Sequence, residues 1–245
     1  MQNPVIRFQS QKNWKYCVLS QVFSDDLLEH ILNKLKKLEW LEVEHSFYKQ
    51  REYNLLESKD FKALFSEEFL GNLRENVEKY FQIKLKKDIS VVAHKMIKGD
   101  YIGIHTDMNK YGETHRLTLL LNDEWDVDDG GIFLTLNEHN LESISSAWLP
   151  MINTGVLFEI CEQSFHAVTP INGKKERLSI IITFSEESKS EGKVKYNYNW
   201  LPFPLEKDIE NAKYTASLMG LNLNNQYECL YFSDIKDFEK NLVLI

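Results

Sequence analysis

The sequence of 245 residues contains few cysteines and prolines and no long uninterrupted apolar run. Its three cysteines, Cys17, Cys161 and Cys229, are far apart and form no CxxC pair, which is typical of reduced thiols and argues against a disulfide scaffold. The amino-terminal segment lacks the apolar region of a signal peptide, and no stretch approaches the length of a membrane span. We therefore expect a soluble cytoplasmic protein with no membrane partner.

An excess of basic residues is also absent. The formal net charge of −8 gives the chain no general attraction for a phosphate backbone, and no long basic patch compensates for it. We therefore expect no nucleic-acid partner. What the sequence does contain is 43% hydrophobic and 12% aromatic residues, a composition typical of a folded globular protein with a sizeable core.

The first 88 residues have the pattern of helices with one or two strands. A short apolar run from Tyr16 to Phe23 resembles a strand, and Ser24 is placed to begin a helix that continues to about Leu38. Two further helical patterns begin at Ser58 and Ser66. We expect these helices to cover one face of a sheet.

From Ile89 to Phe184 the pattern changes to that of strands. Short apolar runs follow one another with turn signals between them and without intervening helices: ISVVAHKMI, YIGIH, RLTLLLN, GIFLTL, VLFEI, HAVTPI and RLSIIITF. This organisation is typical of an antiparallel sandwich or barrel. Beyond it, a polar loop leads to a tail with helices predicted over 204–219 and from Ser233.

These patterns predict a single domain over residues 1–185 and a separate tail. The domain consists of a helical cover over 1–88 and a β core over 89–185. Residues 186–245 then form a C-terminal extension that we expect to pack on or near the core.

A candidate metal site lies at the end of the run YIGIH, where His105 and Asp107 stand two residues apart. Residues two apart on a strand point to the same face, so the imidazole and the carboxylate are predicted to lie side by side. They are two of the three ligands of a facial His-His-carboxylate iron site, which leaves positions open for substrate and oxygen. A third ligand must come from another strand that faces the same interior, and His166 is the candidate.

Arg177 and Ser179 share one face of the last strand run for the same reason. An inward-facing arginine needs an anionic partner, because an unpaired buried charge is costly. A guanidinium beside a hydroxyl suits the distal carboxylate of a bound dicarboxylic acid. The ordinary alternatives are a surface ion pair of Arg177 with Glu176 and a surface position for the His105–Asp107 pair.

In combination these residues resemble those of the 2-oxoglutarate and iron(II)-dependent dioxygenases, in the prolyl 4-hydroxylase-like branch. The resemblance covers roughly Ile89 to Phe184. It rests on the HTD triplet, the distant His166, the RLS triplet at Arg177 and four accompanying features, which are Gly99-Asp100, Leu121-Asn122, Trp125 and Gly130-Gly131.

The resemblance implies a mainly β fold with flanking helices. Its core is a double-stranded β-helix (jelly roll), with N-terminal helices packed on one sheet and a C-terminal helical tail. It further implies that Fe(II) is held by His105, Asp107 and His166, and that Arg177, assisted by Ser179, binds the far carboxylate of 2-oxoglutarate.

The sequence departs from this branch at one position of the cosubstrate site. The branch often has a tyrosine three residues before the glycine of the Gly-Asp turn, where this chain has Met96. His94 or Tyr101 is predicted to make the missing cosubstrate contact instead. Two subfamilies are disfavoured, since Thr183 replaces the second arginine of the nucleic-acid demethylases and Asp107 is intact, unlike its counterpart in the halogenating members.

The resemblance implies an enzyme that hydroxylates an unactivated C–H bond with molecular oxygen and decarboxylates 2-oxoglutarate to succinate, with ascorbate as an accessory reductant. The expected substrate is an amino-acid residue, of prolyl type, in a protein or peptide, or a free amino acid. Two other classes remain open. A cupin-like, non-redox metal enzyme or binding barrel would need the metal ligands but not Arg177, and a degenerate barrel with a structural role would need neither.

Overall fold

The computed structural model describes residues 5–10, 14–45, 48–108, 112–140, 143–188 and 242–243. Within them, thirteen strands join one curled sheet. The strands are β1 (Val5–Ser10), β2 (Lys15–Ser20), β3 (Leu41–His45), β4 (Tyr48–Asn54), β5 (Ser90–Met96), β6 (Ile102–His105), β7 (His115–Leu120), β8 (Phe133–Leu136), β9 (Ile144–Trp148), β10 (Thr154–Glu159), β11 (His166–Val168), β12 (Arg177–Phe184) and β13 (Leu242–Val243). The helices are α1 (Asp25–Leu35), α2 (Lys59–Leu64) and α3 (Glu67–Phe81).

The curled sheet has two halves. One half has the strand order β1-β2-β10-β7-β12-β5-β4, and the other has the order β6-β11-β8-β9-β13. The pair β4–β6 joins the halves, and β3 pairs with β4 outside this order. Every pairing except that of β9 with β13 is antiparallel. From β5 to β12 the chain passes repeatedly between the halves, which is the architecture of a double-stranded β-helix. The predicted fold class is confirmed.

The three helices pack against the outer face of the first half. Their buried apolar residues join those of β2, β5, β7, β10 and β12 in one core. Helix α3 begins where the Ser66 hydroxyl accepts a hydrogen bond from the Phe69 amide at 3.2 Å, and it ends at Gln82, whose left-handed backbone (φ 60°) stops the helical hydrogen bonds. Within the described parts of the chain, no helix is both long and apolar enough to cross a membrane.

A second core fills the interior between the two halves of the sheet. It is rich in aromatic rings, among them Trp14, Tyr16, Phe133, Trp148 and Phe158. The ring centroids of Phe133 and Phe158 lie 5.5 and 4.8 Å from that of His166. The apolar interior thus reaches the side chain that the sequence singles out as the third metal ligand.

The structure adds elements that the sequence pattern did not predict. Strand β9 has the sequence ISSAW, which contains no apolar run, and its pairing with β8 defines it. Strand β1 pairs with β2 at one end of the first half. The helices predicted over 204–219 and from Ser233 lie outside the described residues, and the division of the chain at residue 185 stays a prediction. Strand β13 pairs with β9.

Candidate active site

The three predicted metal ligands converge in the interior. Strands β6 and β11 pair so that His105 and His166 stand directly opposite each other, with ring centroids 4.1 Å apart. Asp107 follows two residues after His105, and its two carboxylate oxygens lie 3.1 Å from His105 Nε2 and 3.0 Å from His166 Nε2. All three ligand atoms lie within 4.8 Å of one another. Such a set of two imidazoles and one carboxylate could hold a divalent metal ion.

Backbone carbonyl groups orient both imidazole rings. His105 Nδ1 lies 2.8 Å from the Gly103 carbonyl oxygen, and His166 Nδ1 lies 2.8 Å from that of Ser164. A carbonyl oxygen can only accept, so each Nδ1 carries the proton and donates it. Each Nε2 therefore keeps its lone pair toward Asp107, which is the tautomer that a metal-binding histidine needs.

Charged neighbours hold Asp107 in its ionised form. Burial by itself raises the pKa of this carboxyl. The neighbouring Arg116, His166 and His105 lower it by more than burial raises it, so the pKa of Asp107 lies well below its ordinary value. The contact from Arg116 is short, since Nη1 donates to Asp107 Oδ1 at 2.6 Å. Burial also lowers the pKa of His166. Near neutral pH both groups are thus in the deprotonated forms that bind metal.

A buried serine ties together the two segments that carry the ligands. The Ser164 hydroxyl donates to the carbonyl oxygen of Thr106, which lies between His105 and Asp107, at 3.0 Å. Ser164 has no exposed surface. Its own carbonyl oxygen is the one that orients His166. The spacing of the ligands therefore depends on contacts between segments far apart in the chain.

Arg177 is a buried cation with no acidic partner in the parts of the chain that the structure describes. Its side chain is 2% exposed and lies on the same inward face as Ser179, as predicted. Nε donates to the Gly131 carbonyl oxygen at 2.8 Å and Nη1 to the Ser179 hydroxyl at 3.3 Å, whereas Nη2 has no partner among the described residues. Burial lowers the pKa of Arg177 to about 10, which leaves it charged at neutral pH. The site could therefore accept an anionic group of a ligand.

The Leu-Asn, Trp and Gly-Gly features of the sequence form the support of Arg177. Asn122 donates to the Glu176 carbonyl oxygen at 2.7 Å and accepts from the Leu178 amide at 3.0 Å, so it fixes the backbone on both sides of Arg177. Trp125 Nε1 donates to the Gly130 carbonyl oxygen at 2.8 Å, which orders the turn that presents Gly131 to Arg177.

We predict that Gly131→Ala weakens 2-oxoglutarate binding more than it weakens the fold. Gly131 has a φ of +64°, and a Cβ there would lie 2.9 Å from Arg177 Cδ and 2.5 Å from Ile171 Cδ1. Strain and overpacking of this kind typically cost about 1–3 kcal/mol of unfolding free energy, and the displaced guanidinium loses alignment as well. The measurements are urea unfolding and titration with 2-oxoglutarate.

Gly71→Ala is the matched control for this prediction. Gly71 lies inside α3, where an added Cβ meets nothing within 4 Å, so this change should stabilise the protein by about 0.5–1 kcal/mol and leave 2-oxoglutarate affinity unaltered. Equal 2-oxoglutarate affinity in Gly131→Ala and the wild type would show that the glycine does not position Arg177.

The two candidates for the missing tyrosine contact have different surroundings. His94 stands opposite Ser179 in the β5–β12 register. Burial, with the charges of Arg116 and Arg177, lowers the pKa of His94 to about 3, so its ring is neutral near neutral pH. Tyr101 is buried in the interior core just before β6. A contact of either residue with the cosubstrate stays a prediction.

Sequence reasoning missed two parts of the interior. Side chains of β7 alternate between the two faces of the sheet, and Arg116 falls on the inward face. This two-residue period is the sequence signal that could have identified it. Strand β4, with the sequence YKQREYN, is polar on both faces, so no apolar stripe indicates which face is inward. Its pairing with β5 and β6 decides this.

Comparison with known proteins identifies the core. A sequence model described as the 2OG-Fe(II) oxygenase superfamily matches residues 91–185. The match shows that residues 91–185 resemble the 2OG-Fe(II) oxygenases. The superfamily is named for Fe(II) and 2-oxoglutarate, and the match indicates an oxygenase that uses both. The donor set of the metal cluster fits Fe(II), and the Arg177 nitrogen that lacks a partner among the described residues fits a carboxylate of 2-oxoglutarate.

Solved structures share the fold of this chain. A prolyl-4-hydroxylase from Pseudomonas putida matches with a TM-score of 0.59 and 15% identity, over 72% of this chain and 95% of that chain. A prolyl hydroxylase from Trichoplax adhaerens, in complex with a hypoxia inducible factor peptide fragment, matches with a TM-score of 0.57 and 13% identity, over 74% of this chain and 87% of that chain. HygX from Streptomyces hygroscopicus, with nickel and 2-oxoglutarate bound, matches with a TM-score of 0.51 and 14% identity, over 79% of this chain and 94% of that chain. Comparison with curated protein sequences gives no significant match.

Proposed function

We propose that this oxygenase hydroxylates an unactivated C–H bond of an amino-acid residue in a protein or peptide, or of a free amino acid. The observation that carries the proposal is Arg177, a buried guanidinium whose Nη2 lacks a partner among the described residues. A dicarboxylic cosubstrate would supply the missing anion. A cupin-like, non-redox barrel has no need of such a cation beside its metal ligands.

Each residue of the site has a role in this proposal. His105, Asp107 and His166 hold the metal, while Arg177 and Ser179 bind the distal carboxylate of 2-oxoglutarate. When bound, iron and 2-oxoglutarate together supply the oxidising power of the reaction. Arg116 orients Asp107 through the hydrogen bond at 2.6 Å. The rings of Phe133 and Phe158 exclude water from the side of His166.

The amino-acid substrate class draws its support from the structural comparisons. Two of the three compared proteins are prolyl hydroxylases, and one of them is seen with a peptide fragment. HygX differs, since it has also been solved with hygromycin B bound. At 13–15% identity these structures share the fold alone, so the substrate class has to be tested directly.

The test is the transfer of one oxygen atom to candidate substrates. Purified protein is incubated with Fe(II), ascorbate, 2-oxoglutarate and ¹⁸O₂, together with panels of free amino acids and short peptides, and the products are analysed by mass spectrometry. We expect the label in one product, with succinate formed in equal amount. Parallel samples without 2-oxoglutarate or without oxygen should give neither. Consumption of a substrate that continues without oxygen would contradict the proposal and favour the non-redox barrel.

A further inference from the structure

The inward face of β4 borders the metal centre and lies outside the segment that matches the oxygenase superfamily. Strand β4 stands where the two halves of the sheet meet, between β5 and β6, and β6 carries His105. Alternation along β4 places Tyr48, Gln50 and Glu52 on one face. Glu52 stands opposite His94, whose other neighbour in the sheet is Ser179 of the Arg177 pocket. We call these three β4 side chains the β4 wall.

Gln50 carries a buried acceptor oxygen that receives no hydrogen bond from the described segments. The residue is 3% exposed, and its Nε2 donates to Glu52 Oε1 at 2.7 Å. Its Oε1 is buried and has no hydrogen-bond partner among the described residues. Leaving a buried carbonyl oxygen unsatisfied is costly, because that oxygen loses its hydrogen bonds to water and gains none in return.

The Glu52 carboxylate has no lysine or arginine partner within the described segments. No lysine or arginine of the described segments lies within ion-pair distance of it, and its nearest basic atom is His94 Nε2 at 3.9 Å. The pKa of His94 is lowered to about 3, chiefly by burial, so this ring does not neutralise the carboxylate. On the opposite face of the same strand the charges are paired, since Lys49 and Arg51 contact carboxylates at 2.6–2.8 Å.

The β4 wall lies beside the strand that carries the metal ligand His105. Tyr48 pairs with Ile102 of β6, three residues before His105. At the other end of the wall, Glu52 Oε1 lies 3.9 Å from His94 Nε2, and His94 pairs with Ser179 in the sheet. This face therefore borders the space in which a substrate of the metal centre would bind. The side chain of Glu52 is 29% exposed, so it can be reached from solvent, whereas Gln50 lies deeper.

We propose that Glu52 and Gln50 bind a cationic nitrogen group of the substrate, an ammonium or a guanidinium with at least two N–H donors. One donor satisfies Gln50 Oε1, another meets the Glu52 carboxylate, and the positive charge compensates that of Glu52. A neutral amide could provide the donors but not the charge. The inference rests on the proposed function, because it adds a charge requirement to the substrate of that site.

The experiment compares cationic compounds with neutral compounds of similar shape. Protein loaded with Ni(II) and 2-oxoglutarate is titrated by calorimetry with two pairs, L-arginine against L-citrulline and L-lysine against L-norleucine. Each compound is used as the central residue of a capped pentapeptide, so that its side chain is the only possible source of an ammonium or a guanidinium. We expect the cationic member of at least one pair to bind about tenfold or more tightly than its neutral counterpart, as a charge-assisted hydrogen bond predicts.

Three variants test whether the preference for cationic compounds depends on the β4 wall. Glu52→Gln keeps the size of the side chain and should reduce the preference to about threefold or less, and Gln50→Leu should weaken binding of the cation. Neither change should alter 2-oxoglutarate affinity. Glu39→Gln removes an exposed carboxylate before β3 and should keep the full preference.

Each contrary outcome has a distinct meaning. Equal binding of both members in every pair, or a preference that survives in Glu52→Gln, overturns the inference. A loss of 2-oxoglutarate affinity in Glu52→Gln also overturns it, because Glu52 would then belong to the cosubstrate pocket. If the wild-type protein binds no 2-oxoglutarate at all, the proposed function itself fails, and the same titration series shows this before any amine is added.

Discussion

Replacing His105, Asp107 or His166 with alanine is expected to abolish 2-oxoglutarate turnover while the protein stays folded. Each change removes one of three ligand atoms that lie within 4.8 Å of one another. Loss of a group that merely orients a metal ligand typically lowers metal affinity or activity about 10–100-fold, so loss of a ligand itself should lower turnover by more than about 100-fold. The measurements are succinate formation and Fe(II) affinity, with thermal unfolding as the test of the fold.

Asp107→Gly separates the role of the carboxylate from that of the backbone. Asp107 has a φ of +63°, which glycine adopts freely and alanine adopts only with strain. We expect Asp107→Gly to retain weak metal binding through the two histidines and to lose hydroxylation. His30→Ala, at an exposed position on α1, is the control and should match the wild type. Near-normal turnover in any of the ligand variants would mean that a different group binds the metal.

Arg177→Ala is expected to weaken 2-oxoglutarate binding by about two to three orders of magnitude. Breaking a buried ion pair costs about 3–5 kcal/mol, and each decade of affinity corresponds to about 1.4 kcal/mol. Arg177→Lys keeps the charge but loses the planar fork that reaches both Gly131 and Ser179, so its affinity should lie between those of Arg177→Ala and the wild type. Fe(II) affinity should hardly change, because Arg177 is not a ligand.

The described residues give Arg177 no acidic partner, which makes a second measurement informative. Because no ion pair is seen to be lost there, Arg177→Ala should lose little stability without ligand. It should also lose the added stability that saturating 2-oxoglutarate gives the wild type. Titration of the metal-loaded protein gives the affinities, and thermal unfolding with and without 2-oxoglutarate gives the stabilities. Arg74→Ala, on α3, is the matched control. Unchanged 2-oxoglutarate affinity in Arg177→Ala would exclude the dioxygenase reaction proposed for this site.

The local pattern of the sequence predicts which side chains of the site act together when both residues lie on the same strand or just beyond its end. Residues two apart on a strand share a face whatever the strand packs against, so His105 with Asp107 and Arg177 with Ser179 can be paired from spacing. The apolar runs likewise predict most of the core strands from β5 to β12, and the serines before α2 and α3 predict where these helices begin. The resemblance to a known family then predicts that His166 joins the first pair.

Contacts between distant segments could not be predicted in this way. The sequence ISSAW becomes β9 because β8 offers it a partner, and the polar β4 has an inward face only because β5 and β6 fix its orientation. The ion pair of Arg116 with Asp107 likewise depends on how β7 faces the loop after β6.

The sequence by itself therefore determined the strand-rich class and which residues of one strand share a face, and it predicted which residues carry the chemistry. Only the tertiary structure decided that Arg177 has no acid beside it in the described chain and that Glu52 has no lysine or arginine. The physical reason is that period and propensity act over a few neighbouring residues, whereas the compensation of a buried charge depends on every segment that folds around it.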